Sequence, residues 1–584
     1  MLKLPSIGIP NTSREITDVF LGYNHNLKIL DGEFYNTKNL TGSYYPMLAN
    51  RAKRGTVRTL TAPGGLLEKD ALAYVDNGRL YYNGLETAVT GLSAGEKQMV
   101  SMGAYLCIFP DKVYFNTADF SDHGSMEASY STSGSVRYSL CRSDGADYES
   151  VSYSDTEPSE ASVELWISTA GGERVAMQWS ASSGGWVELT TVYTKLTFTT
   201  QGAVSGLFSA NDGVVISGAA FDDANGDKVL YAVGGEENAE ADYIVIAGLL
   251  DHEFTQESGT VTIKREVPAL DYVCEAQNRL WGCFYGNNGE DNINEIYCCA
   301  LGDFRNWRQY LGLSTDSWTA SVGSDGPWTG AVNYLGYPTF FKENRIHRVS
   351  VSSVGAHQID ETVCRGVQKG SSKSLQVVNE TLYYKSRTDV CAWQGGFPES
   401  VSAALGDVKY YDAVSGAYGE KYYISMRDGA GDWNLFVYDI AKSLWHREDE
   451  LRAMCFARVD DELFCIDAET GALLALNGTT GALEADVEWE AESGILYYEY
   501  PDRKYVSRYN IRLKMAENAS ADIFIQYDSD GVWRDTGKVK RQGTGTVTVP
   551  IRPRRCDHLK MKLSGKGDVR VFSIARILEV GSDK

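Results

Sequence analysis

The sequence predicts an all-β protein: a β-propeller that carries an inserted β-barrel or sandwich and is followed by a C-terminal β-sandwich. Three observations predict it. The 584 residues include 36 Tyr and 58 Gly against 13 Pro, the composition of half-buried strands joined by glycine turns. No long stretch combines helical periodicity with Leu, Ala, Glu and Lys enrichment. From 267 to 478 a pair of β-branched and aromatic runs around a turn recurs. Its spacing is roughly 40–45 residues, the length of a four-stranded propeller blade. One such sheet cannot cover both its faces, so blades must stack radially.

In chain order, residues 1–60 read as an extended arm. Pro5, Pro10 and Pro46 lie among Asn and Gly and interrupt regular pairing. The densest part runs from Asn39 through Tyr44, Tyr45 and Pro46 to the basic Arg51, Lys53 and Arg54. Two fates are open to it: packing on a neighbouring molecule, or a strand that closes the chain's own propeller. Residues 61–130 hold the first blades. There Asp76-Asn77-Gly78 separates two apolar runs, a strong hairpin signal because both turn residues need positive φ. Residues 131–266 break the rhythm and read as an inserted acidic β domain, tolerated because it sits at a loop tip. This stretch has 7 Lys and Arg against 21 Asp and Glu, a net of −14.

Residues 267–478 supply the remaining blades, with runs such as 280–285, 339–341, 381–384, 421–425 and 462–466 each leading into a second run. Residues 479–486 are a linker, and 487–584 read as a C-terminal β-sandwich. In 559–563, Leu and Met alternate with Lys, which predicts one buried face and one wet basic face. From 503 to 576 there are 17 Lys and Arg against 7 Asp and Glu, a net of +10. Opposed charges of this kind either help subunits or partners dock or are two solvated surfaces of different sign. The overall charge of −23 argues against the whole protein gripping nucleic acid by charge.

The search for chemistry returns little. The 11 Cys sit mostly in apolar strand runs, such as Cys283, Cys391 and Cys465, with no CxxC pair. Cys298 and Cys299 are neighbours that point to opposite faces of a strand. They read as buried thiols of a protein made in a reducing compartment. Met1-Leu2-Lys3-Leu4-Pro5 lacks the apolar core of a signal peptide, and no run approaches the ~20 apolar residues of a membrane helix. The 7 His (His25, His123, His252, His347, His357, His446 and His558) form no HExxH pair. Walker and strand-following GxGxxG motifs are missing. Asp251-His252-Glu253 reads as a solvated loop. Stretches 527–533 and 179–186 come nearest to the Asp-box of sialidase propellers, but lack its Thr-Trp ending. They read as hairpin turns whose Gly takes positive φ with Trp packed beside it. Asp222-Asp223-Ala224-Asn225-Gly226-Asp227 lacks the spacing of a calcium loop and reads as an Asx-rich turn. Trp318, Trp328 and Trp393 would bind sugars if exposed, but aromatic positions in blades are ordinarily core. The expectation is therefore no catalytic residue, no cofactor-binding residue, no metal ligand and no cofactor, in a chain that is not an enzyme.

The two ends of the chain carry a resemblance. Ile525-Gln526-Tyr527-Asp528-Ser529-Asp530-Gly531-Val532-Trp533, with Arg554-Arg555-Cys556-Asp557-His558 before the run 559–563, resembles the C-terminal module of tail hub or nozzle proteins of short-tailed bacteriophages. There a strand, an Asp-Gly turn and a basic run recur in that order before the last two strands. Asn39-Leu40, Tyr45-Pro46-Met47-Leu48 and Arg51 are similar to the opening arm that precedes the propeller. The likeness covers the order of parts along most of the chain, and the acidic insertion departs in size from the simplest members. The resemblance implies a structural virion protein, located in the phage tail and assembled in the host cytoplasm. It implies a homo-oligomeric ring, a hexamer, below portal and adaptor, meeting tail fibre or tail-tip proteins. Viral DNA would pass through the lumen during ejection without sequence-specific binding. The alternative is a propeller glycosidase or glycan-binding tail protein, whose mark would be carboxylates and Arg clustered at the propeller mouth. A surface adhesin scaffold is disfavoured by the missing signal peptide.

Overall fold

The computed structural model describes residues 11–132, 134–159, 163–172, 174–200, 202–235, 242–287, 289, 291–352, 355–498 and 503–580. Pro5 and Pro10 of the expected arm lie outside the described residues. The described elements are β-strands and short 3-10 turns, so the all-β prediction holds.

Seven antiparallel sheets form the propeller. The first blade runs from strand Pro63–Lys69 to Leu85–Glu86, and the second from Gln98–Met102 to His123–Ser125. The third runs from Tyr272–Ala276 to Trp318–Ser321, and the fourth from Gly330–Tyr334 to His357–Val363. The fifth runs from Gln376–Val378 to Glu399–Ser400, and the sixth from Tyr410–Tyr418 to Leu444–Arg447. The seventh comprises Ala453–Val459, Glu462–Asp467 and Ala472–Ala475. The first strand of each blade is innermost, and Ala453–Val459 packs back on Pro63–Lys69, so the ring closes.

The stacking has the burial logic expected of it. Each pair of neighbouring blades shares its own apolar cluster. Trp281 and Phe340 lie between the third and fourth blades, Phe341 and Tyr384 between the fourth and fifth, Phe464 and Tyr74 between the seventh and first. Cys298 joins the cluster on one side of its strand and Cys299 the cluster on the other. Burial pushes both thiols up. The Asn77-Gly78 turn has φ of 52° and 70°, as its sequence requires.

The arm differs from its expectation. Its strand Gly55–Thr59 pairs antiparallel with Ala472–Ala475 and completes the seventh blade, so both ends of the propeller stretch are hydrogen-bonded into one sheet. The residues before it are not an extended arm at all. Strands Asn11–Thr17, Gly22–Tyr23, Glu33–Lys38 and Leu48–Asn50 enter the two six-stranded sheets of the C-terminal sandwich. Phe20, Phe34, Leu40 and Leu48 bury into the same core as Tyr509, Ile523, Leu563 and Leu578. The sandwich therefore needs both chain ends.

The insertion leaves the ring between the second and third blades. A four-stranded and a five-stranded sheet face each other across a core of Tyr138, Leu196, Phe198, Ile216, Ile244 and Ile263. A third sheet, from Val151–Ser154 to Gly185–Glu188, adds Leu165 and Ile167 to that core.

A buried ionic clamp fixes the sandwich to the ring. Arg54 donates to Asp449 and to Glu448, both at 2.7 Å. Arg51 donates to Asn39 at 2.8 Å and pairs with Glu484 of the linker. Burial opposes ionisation of Asp449, but Arg54 and Arg51 outweigh it and hold the carboxyl below its ordinary value. Gly22 sits at the same junction with φ of +79°, and a Cβ there would lie 2.4 Å from the Trp445 carbonyl. Only glycine satisfies both conditions.

Candidate functional site

A pocket of about 310 Å³ is lined by the clamp residues Arg51 and Glu448; two further concavities compete for a functional role. The first is the axial funnel, where the inner strands converge. It has a volume of about 220 Å³ and is lined by Leu66, Met99, Val273, Leu375, Val414 and Phe456. Its charges are satisfied. Lys97 pairs with Asp111 at 2.7 Å, and Lys373 pairs with Glu96 at 2.6 Å while donating to the Met454 carbonyl. An adjoining recess of about 230 Å³ brings only Glu68 and Arg458. The carboxylate and Arg cluster that would mark a propeller-mouth glycosidase is not found among the described residues of this funnel.

The second concavity is a cleft of about 570 Å³ where the sixth blade, the seventh blade and the sandwich meet. Aromatic rings line it from two sides. Tyr35, on the strand Glu33–Lys38, and His25, beside it, stack at 4.1 Å, and the His25 Nδ1–H donates to the Tyr35 carbonyl at 2.9 Å. Tyr410 and Trp433 come from the sixth blade, and the Arg452 guanidinium backs the Trp433 ring at 5.2 Å. Tyr23 stacks beneath His25 at 5.8 Å, and burial pushes its hydroxyl well up.

Carboxylates complete the lining. Asp428 accepts the backbone N–H groups of Ala430, Gly431 and Asp432, so its own tight turn holds it beside Trp433. Asp432, Glu450 and Glu469 are exposed at the rim. Arg447 is held by Asn434 at 2.7 Å and by Glu450 at 2.9 Å. Glu492, on the sandwich strand Glu488–Ser493, lies 3.6 Å from Lys560. Burial raises the Glu492 carboxyl above its ordinary value, more than Lys560 lowers it. A half-buried carboxyl whose affinity for a proton is raised, in one cleft with more open carboxylates, is an arrangement in which one group can give a proton and another accept one.

The residues singled out in the sequence fall elsewhere. Trp328 and Trp393 are 3% exposed and belong to blade cores, while Trp318 packs on Trp281 at 5.9 Å. Stretches 527–533 and 179–186 are hairpin turns, with Gly531 at φ +76° and Gly184 at φ +64°. Trp533 lies under Lys562, and Trp186 packs against Trp166 and Trp179. Asp251 pairs with Arg174 and Glu253 with Arg137. Asn225 bonds both backbone groups of Ala219, and Asp227 pairs with Arg308. No cluster of metal-ligating side chains forms among the described residues. The face around Lys560 and Lys562, expected as wet and basic, is neutralised by Glu492 and Glu490 on the neighbouring strand. Trp433 and Glu492 were missed, although a Trp directly after the acidic glycine turn 428–432 is a visible signal.

No known protein family and no curated protein matches the sequence. Several solved structures align with the chain at low similarity. An exo-β-1,3-galactanase from Phanerochaete chrysosporium, solved with galactose, is 7% identical over 51% of this chain and 94% of its own, with a TM-score of 0.22. A family 43 arabinoxylan arabinofuranohydrolase from Bacillus subtilis, in complex with cellotetraose, is 8% identical over 53% and 94%, with a TM-score of 0.19. A mutant sialidase from Trypanosoma rangeli with trans-sialidase activity is 9% identical over 98% and 96%, with a TM-score of 0.19. At such scores these likenesses carry no functional argument of their own. They do correct one expectation. Exclusion of enzyme activity is withdrawn, because the structures matched include glycoside-cleaving enzymes and an all-β architecture is no ground for excluding catalysis.

Proposed function

We propose that the chain recognises a saccharide in the cleft between the sixth blade and the sandwich. The observation that carries this is the lining: Tyr35, Tyr410 and Trp433 beside Asp428, Asp432 and Glu492 in one cleft of about 570 Å³. A pyranose has apolar C–H faces that pack on aromatic rings and a rim of hydroxyls that donate to carboxylates. The volume falls in the range of ligand sites. With Arg447 and Lys560 outnumbered by carboxylates, the cleft favours neutral sugars over sialylated or uronic ones. If the cleft also cuts what it binds, Glu492 is the residue placed to protonate the leaving oxygen, with an open carboxylate as its partner. Calorimetric titration with neutral hexose and N-acetylhexosamine oligosaccharides, with sialyllactose as control, tests the reading. Binding of a neutral oligosaccharide that Trp433→Ala weakens supports it. No binding across the panel refutes it.

A second reading is the ring-forming tail nozzle or hub, made in a host cytoplasm, seated below portal and adaptor, and conducting DNA at ejection. It is supported by the separation of charge, with the acidic insertion and the basic sandwich carried on different blades of the ring. A tail component that touches a cell-surface glycan would satisfy both readings. Electron microscopy of virions carrying a labelled chain tests it: label ringed at the tail supports the reading, and label absent from particles refutes it.

A further inference from the structure

The outer face of one sandwich sheet is basic and unpartnered. In strand Lys504–Met515, Arg508, Arg512 and Lys514 point outward and are exposed. Directly opposite them on strand Gly543–Pro550 stand Pro550, Thr546 and Thr544, which are flat, short and uncharged. Arg14 extends the same row on the other side, because Arg14 and Arg508 both pair with Ile577. None of these four cations has a carboxylate within ion-pair distance among the described residues. Elsewhere in the sandwich, Lys538, Lys560, Lys562 and Arg576 are all paired. Loop cations such as Arg503, Arg552 and Arg555 are also outside ion pairs among the described residues, but on the sandwich strands the exposed unpaired cations stand in this one row.

The insertion carries the complementary surface. Around its third sheet Asp155, Glu157 and Glu188 are exposed, and none is in an ion pair among the described residues. They surround an apolar centre in which Tyr153 and Val187 are 36% and 47% exposed, beside the Trp166–Trp186–Trp179 cluster. The indole of Trp186 donates to the Pro158 carbonyl, which holds the acidic segment over the sheet. The basic face has its own apolar element in Ile16, 51% exposed.

The two surfaces cannot be partners within one chain. The insertion leaves between the second and third blades. The sandwich is clamped to the sixth and seventh, nearly half a turn away around the ring. A contact between unlike patches on opposite rims is heterologous, and it generates a ring or an open filament from identical subunits.

We infer that the basic face of Arg14, Arg508, Arg512 and Lys514 docks the acidic insertion of a second copy of this chain, at the sheet bearing Asp155, Glu157 and Glu188. The inference deepens the ring reading and rests on it. Charge sets the orientation, and the apolar centres of the two surfaces meet inside a polar rim. Nucleic acid is the other polyanion such a face could take, and it is an outcome of the test.

Sedimentation velocity of the full chain, across concentration and salt, reads the association. The wild type is expected to associate at low salt and to dissociate at about 0.5 M, where screening shortens to a few ångströms. R508E/R512E and D155K/E157K/E188K are each expected to weaken association at least about tenfold, and the five substitutions combined to restore it. All the sites are exposed, so thermal melts should match the wild type. If the wild type assembles and neither set changes it, this interface is wrong while the ring reading survives. If the combined variant stays as weak as the single sets, the pairing is wrong. A wild type that is monomeric throughout overturns both. Association that appears only with added duplex DNA, and is lost in R508E/R512E, assigns the face to nucleic acid instead.

Discussion

The axial funnel and the junction cleft are both made by the propeller, yet they differ in kind. The funnel is built from equivalent inner strands, so it inherits what every blade needs there: small or apolar residues such as Val273, Val414 and Leu66, with ion pairs such as Lys373–Glu96 closing off stray charge. The cleft is built from unlike parts, and nothing repeats in it. Rings from the chain's first strands, a turn of the sixth blade and a carboxylate of the sandwich converge where no blade rule applies. Repetition makes a stable disc, and the break in repetition makes room for chemistry.

The sharpest way to test that contrast is Glu492→Gln. Should the cleft hydrolyse its saccharide, loss of a proton donor is expected to slow turnover about 10²–10⁴-fold with binding retained. Because the Glu492 carboxyl is raised, wild-type activity should fall as pH rises through its pKa, and the variant should lose that limb of the profile. Reducing-end release against pH measures both.

Arg54→Ala breaks the clamp that creates the cleft. It leaves Glu448 and Asp449 buried with only the longer contacts to Arg51, at 3.8 and 3.7 Å, and a loss of up to about 3 kcal/mol is expected. Saccharide binding should fall with it. A chemical denaturation curve superimposable on the wild type would show that the junction is not held this way.

Acid should loosen the same junction. His446 is 5% exposed on the sixth blade, and a Cβ at Gly42 of the N-terminal segment would lie 3.0 Å from it. Burial, helped by Lys421 and Lys442 and opposed by Asp439, pushes His446 down from 6.5 to about 4. The unfolded chain then takes a proton near pH 6.5 and the folded chain only near 4, so stability falls as pH drops between these values, by up to about 3 kcal/mol. His446→Gln should flatten that part of the curve in thermal melts at stepped pH.

The smallest effect discriminates between the concavities. Trp433→Ala should weaken saccharide binding about tenfold, near 1.4 kcal/mol, while Met99→Ala in the funnel leaves the dissociation constant unchanged. The reverse pattern in titration calorimetry would move the site to the axis.

Much of the disc was legible in the sequence. Alternation with period two and turns such as Asn77-Gly78 are local signals, and each blade repeats them. The arm was not legible, because its partners are far away in the chain: Thr37 meets Ala491, and Asn11 meets Val580. Short strands such as Gly22–Tyr23 carry too few residues to show a period. The cleft was hidden for the same reason. Tyr35 and Glu492 are unremarkable in their own stretches, Trp433 is marked only by the turn before it, and only the pairing of both chain ends with the ring brings them together. The basic run at 559–563 misled because its neutralising carboxylates, Glu490 and Glu492, lie on a strand whose pairing the sequence does not reveal.

Hydrogen exchange with and without a bound neutral oligosaccharide tests the central claim most directly. Protection is expected in peptides covering Glu33–Lys38 and the turn 428–432, with the inner strands Gln98–Met102 and Ala453–Val459 unchanged. Protection confined to those inner strands would place the ligand on the axis and contradict the account.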